Sequence, residues 1–163
     1  HTMLEELSYN LTEQNLYRCV DFGHIWGPTV ELSSSPPLPH GFAVNMDMAY
    51  CAYLSYTKGT MSWEEAQRVW DCMDRLGLPR KHPYFIDPAR MHPTLMKMQK
   101  TQAGMHRVPV PLGIGQYTFR TDITADELRE VCQQYGQVLI MAPDAPTRSP
   151  TASLRSGSTL AES

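Results

Sequence analysis

The sequence predicts a mainly α-helical domain completed by a small β-hairpin, and three observations carry that expectation. Val44, Met48, Cys51 and Leu54 recur at helical spacing. Ser62 with Glu65, and Thr124 with Glu127, each form the pair that opens a helix as a capping box. Val108, Val110, Tyr117 and Phe119 alternate on either side of a Gly113-Ile114-Gly115 turn, which reads as a hairpin.

Taken in order, Leu4, Leu7 and Leu11 among polar residues suggest the end of a helix, and residues 16–22 a short ordered stretch before a turn at Gly23-His24. Residues 33–39 are Ser and Pro rich and form a loop. A buried or half-buried helix follows over 41–58, with Gly59 where a C-terminal cap belongs. The helix opened by Ser62 continues through Ala66, Val69, Trp70, Met73 and Leu76 until Gly77 and Pro79 stop it. Residues 79–93 are punctuated by proline and lead into a short helical piece at 95–100, because proline fits a first turn but not a later one. The prolines at 109 and 111 blunt the edge of the hairpin. Ile123 and Leu128 can form a hydrophobic staple at the start of a last helix that ends near Gly136. Beyond residue 142 the composition turns to Ser, Thr, Pro, Ala and Arg. Too few large apolar residues remain to offset the entropy of ordering, so residues 1–142 are read as one domain and 143–163 as a disordered tail.

Composition limits the function. With 163 residues, 42% of them hydrophobic, the chain can bury the core of one ordinary domain. There is no run of eighteen apolar residues and no signal-peptide pattern, which favours a cytoplasmic protein over a membrane or exported one. A net charge of -3 with scattered Lys and Arg provides no footprint for a nucleic-acid backbone. Cys19, Cys51, Cys72 and Cys132 form no C-x-x-C pair, so the expectation is reduced, mostly buried thiols. The chain opens at His1, within what reads as a polar helix, and is taken as a fragment of a longer protein.

The most informative stretch is DFGHIWGPTVELSSSPPLPHGFAVNMDM, residues 21–48. His24 precedes Gly27-Pro28, and His40 opens the long helix. Neutral imidazoles at the ends of rigid elements suit a divalent metal. For either histidine alone, the competing reading is a hydrogen-bonded structural residue beside a turn.

DFGHIWGPTVEL followed by LPHGFAVNMDMA resembles, in residue type and spacing, the metal-binding signature of the sugar-phosphate cyclases, the superfamily of dehydroquinate synthase. In that signature N/D-F-G-H-T-x-x-x-x-x-E precedes a variable loop and H-G-x-A-V-x-x-x-M. The order of motifs is similar over roughly residues 3 to 137, ending in R-V-P-V-P-L-G-I-G. The resemblance implies the helical C-terminal domain of such an enzyme, with an NAD-binding N-terminal domain outside this chain. Asp21, Pro28 and the Met-Asp-Met-Ala run are more similar to the branch that cyclises sedoheptulose 7-phosphate to valiolone- and gadusol-type products than to dehydroquinate synthases.

Carried over by residue, the resemblance implies that His24 and His40 are two of three ligands to Zn2+ or Co2+, the third being a Glu from the N-terminal domain. Asp21 would bind substrate or orient the ligands. Lys100 stands near the second Lys of the family's Asp-Lys-Lys motif, where a cation holds the substrate's anionic end; a solvated lysine at a helix end is the competing reading. Arg18 and Arg107 are further candidate cations. NAD, a sugar-phosphate substrate and a homodimer are also implied, with transient oxidation, loss of phosphate and aldol closure in one pocket.

Four residues depart from the family pattern: Ile25 for Thr, Phe42 for a polar residue after H-G, and Met98 and Gln99 for the Asp-Lys of the lysine motif. Two histidines without the third ligand hold zinc weakly, so the fragment alone is expected to be inactive. A diverged, non-catalytic domain and a 3-dehydroquinate synthase are the alternatives. A third is an unrelated helical interaction module, in which the histidines are structural and Met46, Met48, Met96 and Met98 pack adaptably.

Overall fold

The computed structural model describes Ser8, residues 19–101 and residues 104–141. The expected N-terminal helix around Leu4, Leu7 and Leu11, Arg18 and the expected disordered tail lie outside the described residues. A 3₁₀ turn at Cys19–Asp21 is followed by α1 (Gly27–Ser33), α2 (His40–Thr57) and α3 (Trp63–Arg75). A second 3₁₀ turn at Pro83–Ile86 leads to α4 (Pro88–Thr101), the strands β1 (Val108–Pro111) and β2 (Tyr117–Arg120), and α5 (Ala125–Met141). The mainly helical architecture with one hairpin is therefore as the sequence predicts.

Helix α2 is the axis of the domain. Ala43, Met46, Ala49, Tyr50, Cys51, Ala52, Tyr53 and Leu54 are all buried, so the helix is covered on most sides rather than along one stripe. Val44 and Met48, expected on the buried face, are only half-buried, and the turn at Gly23 supplies part of their cover. Aromatic rings radiate from this axis: Tyr50 meets Trp26 edge-on at 5.3 Å and Tyr135 edge-on at 5.3 Å, while Tyr53 stacks on Trp70 at 5.9 Å. Such pairs contribute about 0.5–1.5 kcal/mol each beyond their buried area.

Both bonds of the Ser62–Glu65 capping box form, and Glu65 also accepts the Ile114 N–H at 3.2 Å, which ties the hairpin turn to α3. Arg80 is buried over the Trp70 ring and makes paired bonds to Asp74 at 2.7 Å. Leu76, expected on the apolar face, is instead exposed because the helix has already ended at Arg75. The hairpin pairs Val108 with Arg120 and Val110 with Thr118.

Two helix boundaries differ from expectation. Helix α4 begins at Pro88, seven residues before the expected start, because Asp87 caps it by accepting the Ala89 N–H at 3.0 Å and proline supplies the first turn. Pro93 then lies inside the helix. Helix α5 runs through Gly136 to Met141. There the missing side chain admits Ile86, whose Cγ2 lies 3.5 Å from where a Cβ would stand. Its first turn keeps only half of a capping box: Thr124 accepts the Glu127 N–H at 3.1 Å. The Glu127 carboxylate pairs instead with Arg120 and Lys58 at 3.0 Å.

The thiol expectation holds for Cys51 and Cys132, which are buried, and not for Cys72, which is exposed; none of the four is in a disulfide. Burial pushes the Cys132 thiol up to about 11 and the Cys51 thiol well above its ordinary value, so neither is a nucleophile near neutrality.

Candidate metal centre

The Gly23-His24 turn is folded flat onto α2. Gly23 has φ +80° and is buried, and a Cβ there would sit 2.7 Å from Met48 Cγ and 2.9 Å from the Val44 carbonyl oxygen. Only glycine satisfies both the left-handed backbone and that approach. The turn closes through a 2.8 Å bond from the His24 N–H to the Asp21 carbonyl. Helix α1 then starts at Gly27 with no side-chain cap from its own N-cap residue, Trp26.

The cap comes from elsewhere. Asp47, fully buried on α2, accepts the N–H groups of Ile25, Trp26 and Gly27 on a single oxygen at 2.8, 2.7 and 2.8 Å. These amides open α1, where unpaired N–H groups and the helix dipole favour a negative charge. Burial raises the Asp47 carboxyl above its ordinary value, and the three amide bonds act against that rise. His40 and Asp47 are seven residues apart, two helical turns, and so share one side of α2.

This arrangement brings His24 and His40 together, with ring centroids 5.3 Å apart and planes inclined at 51°. The pairing fits a shared cation. A Zn–N bond of ~2.0–2.1 Å puts each imidazole centroid about 3.2 Å from the metal, and a tetrahedral angle then separates the centroids by about 5.2 Å. The tautomers fit as well. His40 Nδ1 lies 2.8 Å from Glu31 Oε2, and His24 Nδ1 lies 3.2 Å from the Phe22 carbonyl oxygen. A carboxylate and a carbonyl can only accept, so both Nδ1 atoms carry the proton, and Nε2 on each ring keeps its lone pair. The His40 side chain is 58% exposed, which leaves it open to a ligand from outside the chain. Among the described residues no third His, Cys, Asp or Glu joins the pair.

The other expected site residues are placed less closely. Asp21 is half-buried and supplies its backbone carbonyl to the His24 turn. Lys100 is exposed in the last turn of α4, a different element from the histidine pair. Met98 packs against the core, and the Gln99 amide lies 3.2 Å from His106 Nδ1. Ile25 is buried in the core while its N–H serves Asp47, and Phe42 is 38% exposed beside His40. Sequence reasoning missed Glu31 and Asp47 as site residues. Glu31 was visible as the last residue of the quoted motif, whereas a lone Asp in a helix has no local signal.

Fold and site together define a helical domain that holds two imidazoles side by side, one on a turn and one at the start of α2. Residues 3–101 match the profile of the family described as 3-dehydroquinate synthase C-terminal, and the chain belongs to that family. It is 42% identical over 129 residues to a 2-epi-5-epi-valiolone synthase of Actinoplanes sp., covering 79% of this chain and 32% of that protein. It is 35% identical over 142 residues to a demethyl-4-deoxygadusol synthase of Trichormus variabilis, covering 83% and 34%. The solved structure of ValA, the 2-epi-5-epi-valiolone synthase of Streptomyces hygroscopicus subsp. jinggangensis 5008, with NAD+ and Zn2+ bound, superposes with TM-score 0.77 at 39% identity, covering 83% of this chain and 38% of that one. The chain spans about a third of the length of the curated relatives it matches. Among the described residues no helix is long and apolar enough to cross a membrane.

Proposed function

We propose that this chain is the metal-binding C-terminal part of an NAD-dependent sugar-phosphate cyclase that converts sedoheptulose 7-phosphate to a C7 cyclitol with loss of phosphate. The observation that supports it most is the His24–His40 pair, spaced for one cation with both Nδ1 atoms already committed. His24 and His40 would hold Zn2+ or Co2+ through Nε2, with the remaining protein ligand supplied from outside the chain. When bound, the metal supplies Lewis acidity toward a carbonyl and vicinal hydroxyls, and NAD supplies the hydride chemistry. The chain's own contributions are to fix the two rings through Glu31 and the Phe22 carbonyl, and to place Asp21 one turn before His24. Lys100 would contribute a cation for the anionic end of the substrate, and a homodimer is the expected assembly. The relatives at 35–42% identity favour the sedoheptulose 7-phosphate branch over 3-dehydroquinate synthase.

Incubating the full-length protein with sedoheptulose 7-phosphate, NAD and Zn2+, and following phosphate release, tests this. Release with a cyclic product supports it, and no release under any metal condition overturns it. The second reading, a non-catalytic cyclase-like domain, is favoured by Met98 and Gln99. Where the family carries a charged pair, one packs on the core and the other is engaged with a buried histidine.

A further inference from the structure

We infer that Asp47 is the positioning residue of the metal centre: its buried carboxylate, by capping the start of α1, sets the separation of His24 from His40. The inference rests on the reading of that pair as metal ligands. The two histidines belong to different elements, joined in sequence only by α1 and the Ser/Pro loop. Gly23 packs the turn against α2, but the His24 side chain itself is exposed, and among the described residues its hydrogen bond is to Phe22, two residues away. His40 is fixed differently, by being the first residue of α2 and by Glu31. A single Asp47 oxygen and three amides, beginning one residue after His24, join the His24 turn to α2 with polar bonds.

The contact is also directional. Apolar packing of Ile25 and Trp26 holds the turn near α2 but allows it to slide along the helix. Three N–H groups converging on one atom fix where along the helix the turn sits. The other Asp47 oxygen faces the Cys51 thiol at 3.5 Å, so the carboxylate is anchored within its own helix, at i and i+4. Gly27 permits the approach: the position of its absent Cβ is 3.3 Å from the Ala43 carbonyl oxygen and 3.5 Å from Asp47 Oδ2. A small displacement of the turn would change the 5.3 Å ring separation directly, and a tetrahedral ion tolerates little such error.

The test measures metal affinity rather than turnover. Full-length protein is stripped of metal and titrated with Zn2+ against a chromophoric chelator, as wild type, Asp47→Ala, Asp47→Asn and Asp74→Ala. Asparagine keeps an oxygen for the three amides and should remain within about threefold of wild type. Alanine should weaken Zn2+ binding about 10–100-fold, the range seen when groups that orient metal ligands are lost. Asp74→Ala strips the partner from buried Arg80 and should lower the unfolding temperature while leaving Zn2+ affinity unchanged. That contrast separates positioning from general stability. If Asp47→Ala does not fold, Asp47→Ser, which can satisfy only part of the amide set, takes its place with a loss of at least threefold expected. A folded Ala or Ser variant that binds Zn2+ like the wild type overturns the inference alone. Wild type that binds no Zn2+ overturns the metal reading, and the inference with it.

Discussion

Replacing Gly23 by alanine isolates what holds the His24 turn against α2. Two costs apply at once. The residue has φ +80°, where a Cβ costs roughly 1–2 kcal/mol against the following carbonyl. The new methyl would also lie 2.7 Å from Met48 Cγ, 2.8 Å from Val44 Cγ1 and 2.9 Å from the Val44 carbonyl oxygen. The Met48 side chain can move, but the Val44 carbonyl belongs to the backbone of α2, so overpacking adds about 1–3 kcal/mol. Gly59→Ala is the matched control. Its φ is +70° and no atom lies within 4 Å of the Cβ position, so it carries the backbone cost without the contact cost. Urea denaturation read by tryptophan fluorescence suits the comparison, because Trp26 and Trp70 are buried in the affected core. Gly59→Ala is expected to lose about 1–2 kcal/mol and Gly23→Ala about 3 kcal/mol or more. Equal losses in the two variants would refute the close approach of the turn to α2.

Further predictions address other parts of the structure. Burial depresses the His106 imidazole, which is 1% exposed and accepts the Ile123 N–H on Nε2 at 3.0 Å. The unfolded chain therefore takes up a proton near pH 6.5 while the folded protein resists, so stability should fall as pH drops below 6.5. Partly buried His82, depressed for the same reason, adds to that slope. Urea midpoints at pH 7.5 and 5.5 measure it, and His106→Gln should flatten the difference. Asp74→Ala leaves the Arg80 charge buried and should cost about 3 kcal/mol in the same denaturation assay. Glu31→Gln makes the side-chain amide a weaker partner for His40 Nδ1 and should weaken Zn2+ binding roughly tenfold in chelator competition.

What the sequence made legible is whatever is encoded locally. The Ser62–Glu65 cap, the helix after it and the turn between β1 and β2 depend on residues within a few positions of one another, and all three are found as expected. The pairing of His24 with His40 was legible only through the resemblance, and the structure brings the two rings together. Helix α1 was not foreseen, since seven residues with Pro28, Thr29 and Val30 have no helical period, and its cap is Asp47, which follows the capped residues by 20 to 22 positions. The start of α4 was legible in Asp87-Pro88 but was masked by Pro93, whose helix-breaking reputation outweighed the cap. Gly136 reads in the sequence as a terminator, whereas in the fold its small size serves the packing of Ile86. Asp47 exposes the limit most clearly, because a helical aspartate reads as solvated until the fold shows three amides converging on it.

The central claim is that His24 and His40 share one cation through their Nε2 atoms. X-ray absorption on the Zn2+-loaded full-length protein measures this directly. Two imidazole nitrogens at about 2.0–2.1 Å in the wild type, falling to one in His24→Ala and in His40→Ala, are predicted. A wild-type shell without imidazole, or one unchanged by either substitution, would contradict the account.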